Sequence, residues 1–406
     1  MTASTTEPNV EPSPAKVAGV RRRSRVSRFL RILLGITAIM HVPVGFGVAE
    51  LGQRLGWPAP GLIGAFWAAA GVLLFVGRAR AGMPDRRGRH PAIVRLIDIP
   101  YFIHWCACLW TLIPAAVATL VAPVVDLLRG TPVHLPTTAY MVMYLSGLAV
   151  AAYGILIRRR WYRVAEHDVS VPGLDPRFEG LRIAQLSDLH IGTLTPRSWG
   201  LAWSRSANRH TPDLAVVTGD MVTSGTDYYE DVAEVIGALR AKEGVFASMG
   251  NHDYFGAEGE PLVSMLRARG VGVLRNDGVV IERDGAKLWL AAIDDTWTRR
   301  DDIELAMRGR PAGATTVLLA HDPNRFDAAA DAGANVVLSG HTHGGQIGVP
   351  FLYRIANLAS FGYRYSVGLY RRGQSVLYVH PGLGTTGPPM RLGVPPEVAI
   401  LTLRAL

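Results

Sequence analysis

Two regimes of hydrophobic spacing divide this chain near residue 163. Before it lie four long runs of apolar residues: Phe29 to Val48, Gly61 to Gly77, Tyr101 to Val125 and Thr137 to Ile157. Each is about 17 to 25 residues long, enough for a helix to cross roughly 30 Å of hydrocarbon. After it the runs are short, β-branched and closed by polar residues or glycine: Arg182 to Leu186, Leu214 to Thr218, Val245 to Met249, Leu288 to Ile293, Thr316 to Ala320 and Asn335 to Leu338. Between several of these lie amphipathic stretches, at Tyr229 to Lys242, Pro261 to Arg269 and Pro323 to Ala332. The alternation predicts an α/β domain around a mostly buried sheet. Late strands are expected at Tyr353 to Leu358 and Val398 to Leu403. The predicted fold class is therefore α/β, preceded by an all-α four-span transmembrane module.

The pattern also sets the expected boundaries. Residues 1–28 read as a disordered basic N-terminal tail, poor in apolar residues until Arg21-Arg22-Arg23-Ser24-Arg25. Four transmembrane helices follow over 29–157, then a basic linker and first strand over 158–180. The α/β domain fills 181–406.

Charge sharpens this division. The chain has a formal net charge of +9 and a pI near 9.8, a basicity that usually raises the question of nucleic acid. Residues 1–163 carry 19 Lys and Arg against 6 Asp and Glu, while residues 164–406 carry 23 against 27. The positive charge belongs to the membrane module, and the mildly acidic domain argues against a nucleic-acid groove. Lys16 and the arginine cluster precede span one. Arg78, Arg80, Arg86, Arg87, Arg89 and Arg95 lie between spans two and three, and Arg158, Arg159, Arg160 and Arg163 follow span four. The opposite loops offer Arg54 and Arg129 alone. By the positive-inside rule both ends face the cytoplasm, which predicts a multi-pass protein of the cell membrane with a cytoplasmic domain. The bilayer is its expected partner. Cys106 and Cys108 stand two apart in an apolar run, where a helix would turn them to different sides; neither a disulfide nor a metal pair is expected. His41, His104, His134 and Asp98 read as interfacial or helix-packing groups.

The candidate chemistry sits at the ends of the predicted strands. One runs into Asp188-Leu189-His190, the next into Gly219-Asp220, and the third into Gly250-Asn251-His252-Asp253. Later strands end in His321 and in Gly340-His341-Thr342-His343-Gly344-Gly345-Gln346. Ligands of open α/β sheets gather at the carboxyl ends of strands, so these five segments are expected to share one crevice. Two carboxylates, an amide oxygen, four imidazoles and one spare imidazole suit two divalent ions. The mixed oxygen and nitrogen set favours Mn, Fe or Zn over Ca or Mg.

In this order the motifs resemble the calcineurin-like metallophosphoesterase superfamily, over roughly residues 180–405. His343-Gly344-Gly345-Gln346 and Gly382-Leu383-Gly384-Thr385-Thr386-Gly387 resemble its membrane-associated branch. The resemblance implies an α/β/β/α sandwich in which Asp188, His190 and His343 hold one metal. Asp220 bridges, and Asn251, His321 and His341 hold the second. It also implies that His252 faces the scissile phosphate, with Asp253 orienting its ring. The branch pattern of Ser or Asn followed by Arg is replaced here by His380-Pro381, which makes Arg391 the substitute candidate for contacting substrate. His380 reads as a further site residue or an ordinary loop histidine.

The expected function is that of a membrane-anchored enzyme hydrolysing phosphoester or pyrophosphate bonds through a metal-bridging hydroxide. Its substrate is a phosphorylated small molecule or lipid; the anchor points to a lipid-linked or nucleotide-sugar-lipid type. The rival reading is a four-span transporter or sensor with a phosphoesterase-like regulatory domain.

Overall fold

Of the 406 residues, the computed structural model describes 14–80, 91–131, 135–255 and 259–406. These residues form two compact units, one within 14–80 and 104–148 and the other within 91–103 and 149–406. His134, Arg86, Arg87, Arg89 and the first thirteen residues of the expected tail lie outside the described residues.

Among the described residues, four helices are long and apolar enough to cross a membrane, over Leu30–Arg54, Pro60–Arg78, Val94–Arg129 and Ala139–Arg160. Each overlaps one of the predicted runs. The first extends back to Pro14, through much of the stretch that reads as disordered. Proline suits a first helical turn because its missing N–H has no partner there anyway, and Ala, Lys and Arg after it are good helix formers. In the helical unit, His41 Nδ1 meets the Thr37 carbonyl at 2.6 Å and His104 Nδ1 meets the Tyr144 hydroxyl at 2.7 Å. The two imidazoles meet each other through Nε2 at 3.2 Å, joining helices one, three and four. Cys108 Sγ is nearly equidistant from both His104 nitrogens, at 3.8 and 3.6 Å, so it lies beside the ring rather than along either lone pair. These contacts join the helices of this unit.

The other unit is built on twelve strands: β1 (Arg163–Val171), β2 (Arg182–Leu186), β3 (Leu214–Thr218), β4 (Val245–Ser248), β5 (Val271–Val273), β6 (Asp277–Arg283), β7 (Ala286–Ala292), β8 (Thr315–Leu319), β9 (Val336–Ser339), β10 (Gly368–Arg372), β11 (Ser375–Val379) and β12 (Glu397–Ala405). They form two six-stranded sheets, ordered β1-β12-β2-β3-β4-β5 and β10-β11-β9-β8-β7-β6.

Strand alternation explains the layering. On β3, Leu214 and Val216 face the other sheet, whereas Ala215 and Val217 face the opposite way. On β8, Val317 and Leu319 join the same middle layer, and Leu318 turns outward. The outward face of the first sheet is covered by the helices Arg197–Asn208, Tyr229–Gly237 and Glu260–Arg267, which contribute Trp203, Val232 and Leu262. The second sheet is covered by Ile303–Ala306 and Phe326–Asp331. Both sheets bury two faces, so their central strands read as apolar runs. The result is the α/β/β/α sandwich.

One predicted strand is absent. Residues 353–358 form turns, because Tyr353 and Asn357 point inward while Ile355 and Leu358 stay exposed, a spacing of four rather than two. The late strands are β10, β11 and β12. The unit also takes in the last turns of the fourth helix, from Ala149 rather than from residue 158.

Glu397 ties β12 to its neighbours. It accepts from the Arg163 guanidinium at 2.7 Å and from the Tyr378 hydroxyl, and meets His167 at 3.4 Å. Burial alone would raise its pKa; the hydrogen bonds and positive neighbours outweigh this and hold it at about 2. A folded carboxylate titrating below its unfolded value contributes fully at neutral pH and loses that contribution as pH falls from about 4.5 towards about 2. Glu397→Gln is therefore expected to lower Tm of the full-length protein by ~2–4 °C at pH 7. Calorimetry should show the deficit shrinking as the pH approaches 2.

Candidate metal centre

The parallel strands β2, β3 and β4 of one sheet and β8 and β9 of the other end at the same rim. Each strand end delivers site residues. Asp188 and His190 follow β2, Asp220 follows β3, Asn251 follows β4, His321 follows β8, and His341 and His343 follow β9. Gln185 helps to close the rim, donating to Thr218 Oγ1 and to the Ser339 carbonyl, each at 3.0 Å, and so linking the two sheets.

Two groups of ligand atoms result. In the first, His190 Nε2 lies 3.0 Å from His343 Nε2, which is 3.3 Å from Asp188 Oδ1. In the second, Asp220 Oδ2 is 3.2 Å from His321 Nε2, which is 3.2 Å from His341 Nδ1. Asp220 Oδ2 also lies 3.7 Å from His190 Nε2, so this carboxylate stands between the groups. In each group the donor atoms lie within 4.8 Å of one another. Asn251 is buried, and its Oδ1 has no hydrogen-bond partner. An orphaned amide oxygen costs free energy unless something electropositive meets it. The donor set and this orphan fit divalent metal ions.

Hydrogen bonds fix which nitrogen each ring presents. His321 Nδ1 donates to the Thr218 carbonyl at 2.7 Å, which turns Nε2 toward Asp220 and His341. His341 Nε2 meets the Tyr363 hydroxyl at 3.0 Å, leaving Nδ1 inward. His252 Nδ1 donates to the Thr223 carbonyl at 2.6 Å, and its backbone N–H donates to Asp220 Oδ1 at 2.9 Å. The carbonyls of Thr218 and Thr223 have no signature in sequence, since every residue carries one. Tyr363 likewise stands outside any motif.

Two expected roles change. Asp253 does not orient the His252 ring. Its Oδ1 accepts from the Met221 N–H at 2.8 Å and the Val222 N–H at 3.2 Å, and its Oδ2 from the Gly250 N–H at 2.9 Å. It pins the loop after β3 to the loop after β4. Arg391 is fully buried, and its donors go to the carbonyls of Pro381 at 2.9 Å and Gly384 at 2.6 Å. It also lies 3.4 Å from His343 Nδ1. Its guanidinium, pushed down to about 9 by burial, holds the glycine loop behind the ligands rather than facing a substrate. His380 is buried, and its Nδ1 accepts from the Gly382 N–H at 2.9 Å as a turn-holding group.

Electrostatics follow from this crowding. Burial, with Asp220 nearby, pushes Asp188 up to about 6; burial pushes Asp253 up to about 7 and His341 down to about 4. His190 and His343 are likewise held well below the usual imidazole range by burial first, and then by neighbouring cationic groups. Burial would raise Asp220 and lower His321, but their mutual attraction reverses both, leaving Asp220 low and His321 high. The backbone is strained as well. Asp188, His190, Asp220, His341 and His343 have φ of 53°, 44°, 51°, 69° and 53°, a region that side chains occupy at a cost of ~1–3 kcal/mol each.

Comparison with known proteins identifies the family. Residues 181–345 match the calcineurin-like phosphoesterase family. A metallophosphoesterase of Bacillus subtilis is 30% identical over 256 residues, which cover 62% of this chain and 89% of that one. One of Aquifex aeolicus is 31% identical over 252 residues, covering 60% and 92%. A transmembrane protein with a metallophosphoesterase domain from Danio rerio is 31% identical over 268 residues, covering 63% of this chain. The match spans 60% of that relative's length.

Gly340 lets the β9 loop approach Asp188. A Cβ there would fall 1.9 Å from Ser187 Oγ and 2.3 Å from Asp188 Oδ2. Gly340→Ala is expected to weaken Mn binding by about 10- to 100-fold, as other disturbances around metal ligands do. Titration by electron paramagnetic resonance measures it, and unchanged affinity would contradict the required close approach.

Proposed function

The chain belongs to the calcineurin-like metallophosphoesterase family, and on that premise we propose that it is a membrane-anchored phosphoesterase using two divalent ions. The observation that carries this reading is the convergence of Asp188, His190 and His343 with Asp220, His321, His341 and the orphaned Asn251 amide. Asp220 stands between the two groups, as a bridging carboxylate must. Mn, Fe or Zn suits this oxygen and nitrogen set. When bound, the ions supply positive charge for an in-line displacement at phosphorus and a hydroxide at neutral pH.

The chain's own residues do the rest. His252, its Nδ1 committed to the Thr223 carbonyl, offers Nε2 to protonate the leaving oxygen or to stabilise its charge. Asp253 keeps the loops carrying Asp220 and Asn251 in register. Thr218 and Tyr363 turn the Nε2 of His321 and the Nδ1 of His341 inward.

We assign the substrate to the phosphorylated molecules held at or in the bilayer, with a lipid-linked phosphoester or pyrophosphate the preferred class. The support is proximity. Gly154, in the fourth membrane helix, accepts from the Arg391 N–H at 3.4 Å, and a Cβ on Gly154 would fall 2.9 Å from Met390 Cγ. Arg391 in turn reaches His343. The end of a membrane helix is thus two residue contacts from a candidate metal ligand. The arginine-rich loops support a cytoplasmic domain.

Full-length protein with Mn should hydrolyse an aryl phosphodiester, lose activity in EDTA and regain it on adding Mn. Asp220→Asn and Asn251→Ala should each lower kcat by roughly a hundredfold or more. Full activity in either variant would sink the ligand assignment. For the orientation, a green fluorescent protein fused after Leu406 should fluoresce in cells; a dark, stably made fusion would put the domain outside.

A further inference from the structure

The loop that follows the metal ligands of β9 carries a surface no part of the proposed chemistry uses. Val349, Phe351, Leu352, Ile355, Leu358 and Phe361 are all exposed, Phe351 at 99% and Phe361 at 90%. The segment 349–361 holds one charged residue, the exposed Arg354, and no acidic one. Such a density of outward apolar side chains is unusual for a surface in water. The loop is nonetheless ordered. Val349 N donates to the Ala356 carbonyl at 2.9 Å, and Asn357 Nδ2 donates to the Tyr353 carbonyl at 2.8 Å. Tyr353 is buried against Val367 and Val394. Phe351 has φ of 66°, a conformation a bulky residue keeps only where its surroundings impose it.

We propose that this loop is a membrane-interface device whose apolar side chains enter the same bilayer that the four helices span. Two contacts within its unit, with the exposed residues around it, select a lipid surface over other occupants. Gly348, at the base of the loop, donates to the Leu392 carbonyl at 2.9 Å, beside the Arg391 that meets Gly154 of the fourth helix. Tyr353 accepts from the Arg163 guanidinium at 2.5 Å, three residues beyond the end of that helix at Arg160. Exposed Trp161 lies on the same connection, a residue type favoured at the membrane interface. Arg354 and the largely exposed Arg364 flank the patch with the charge that anionic lipid headgroups attract. Two residues past Phe361, Tyr363 holds His341. A seated loop therefore brings the mouth of the metal centre to the headgroup layer. The inference rests on the membrane-anchored reading and is independent of the metal chemistry.

The test uses full-length protein, one copy per lipid nanodisc, with a nitrobenzoxadiazole probe on Phe351→Cys or, separately, Ile355→Cys. Cys106 and Cys108 are buried, and the parent protein checks that they stay unlabelled. A probe on Lys287→Cys, an exposed site on β7, is the control. Lipids carrying doxyl groups in their acyl chains should quench the 351 and 355 probes about twofold or more relative to the control, as expected for side chains within the acyl boundary. Equal quenching at all three sites would overturn the proposal. So would blue-shifted but unquenched emission at 351 and 355, which would mean that protein rather than lipid covers the loop. Quenching is read without turnover, so an inactive enzyme leaves the outcome legible.

Discussion

The contact between Asp220 and His321 holds the catalytic unit's design together. Asp220 ends a strand of one sheet and His321 ends a strand of the other, and their side chains meet at 3.2 Å in the buried rim. Neither group is stable there alone. Burial opposes charge on both, and each keeps its charge through the other. The Thr218 carbonyl, two residues before Asp220, anchors His321 from behind. A single strand end of the first sheet therefore orients a ring belonging to the second. The apolar middle layer brings the sheets together without direction, and this polar joint fixes how they face each other at the rim.

The same rim gathers costs that a purely structural arrangement would shed. Five of the seven candidate ligands sit in left-handed backbone, two buried carboxylates face several imidazoles, and an amide oxygen has no partner. Strain and unmet polarity of this kind persist where the surrounding fold over-determines them, and they cluster where chemistry is done. Here the sandwich supplies the constraint: its central strands bury both faces and leave the loops little freedom. Gly340 and Asp253 show how tight that constraint is, one by having no side chain and the other by spending both carboxylate oxygens on backbone amides of two loops.

The fourth membrane helix is more than a tether to this unit. Its last turns pack on Met390 and Arg391, and the buried Arg391 passes that contact to the glycine loop and to His343. Next to Arg391, Leu392 accepts from the Gly348 N–H, and the chain beyond Gly348 is the apolar loop 349–361. The end of the fourth helix, the candidate ligands and the exposed apolar loop are linked through Met390, Arg391 and Leu392.

Much of this could be read from residue order alone. Span length and loop charge give four helices because hydrocarbon thickness and headgroup electrostatics act on local composition. The strands ending at Asp188, Asp220 and His321 are equally legible, since apolar runs and the polar residues closing them are local features. Composition also names the ligand types. What the tertiary structure decided is which atoms meet. Sequence assigned Asp253 to the His252 ring and Arg391 to substrate, yet the ring is held by the Thr223 carbonyl and Arg391 is sealed behind the ligands. Backbone carbonyls carry no residue signature, and burial of a long cation depends on partners far away in the chain. Residues 353–358 read as a strand for a similar reason: an apolar run predicts burial, and only the folded unit shows Ile355 and Leu358 turned outward. Local pattern fixes what each segment can be, and long-range packing alone determines what it touches.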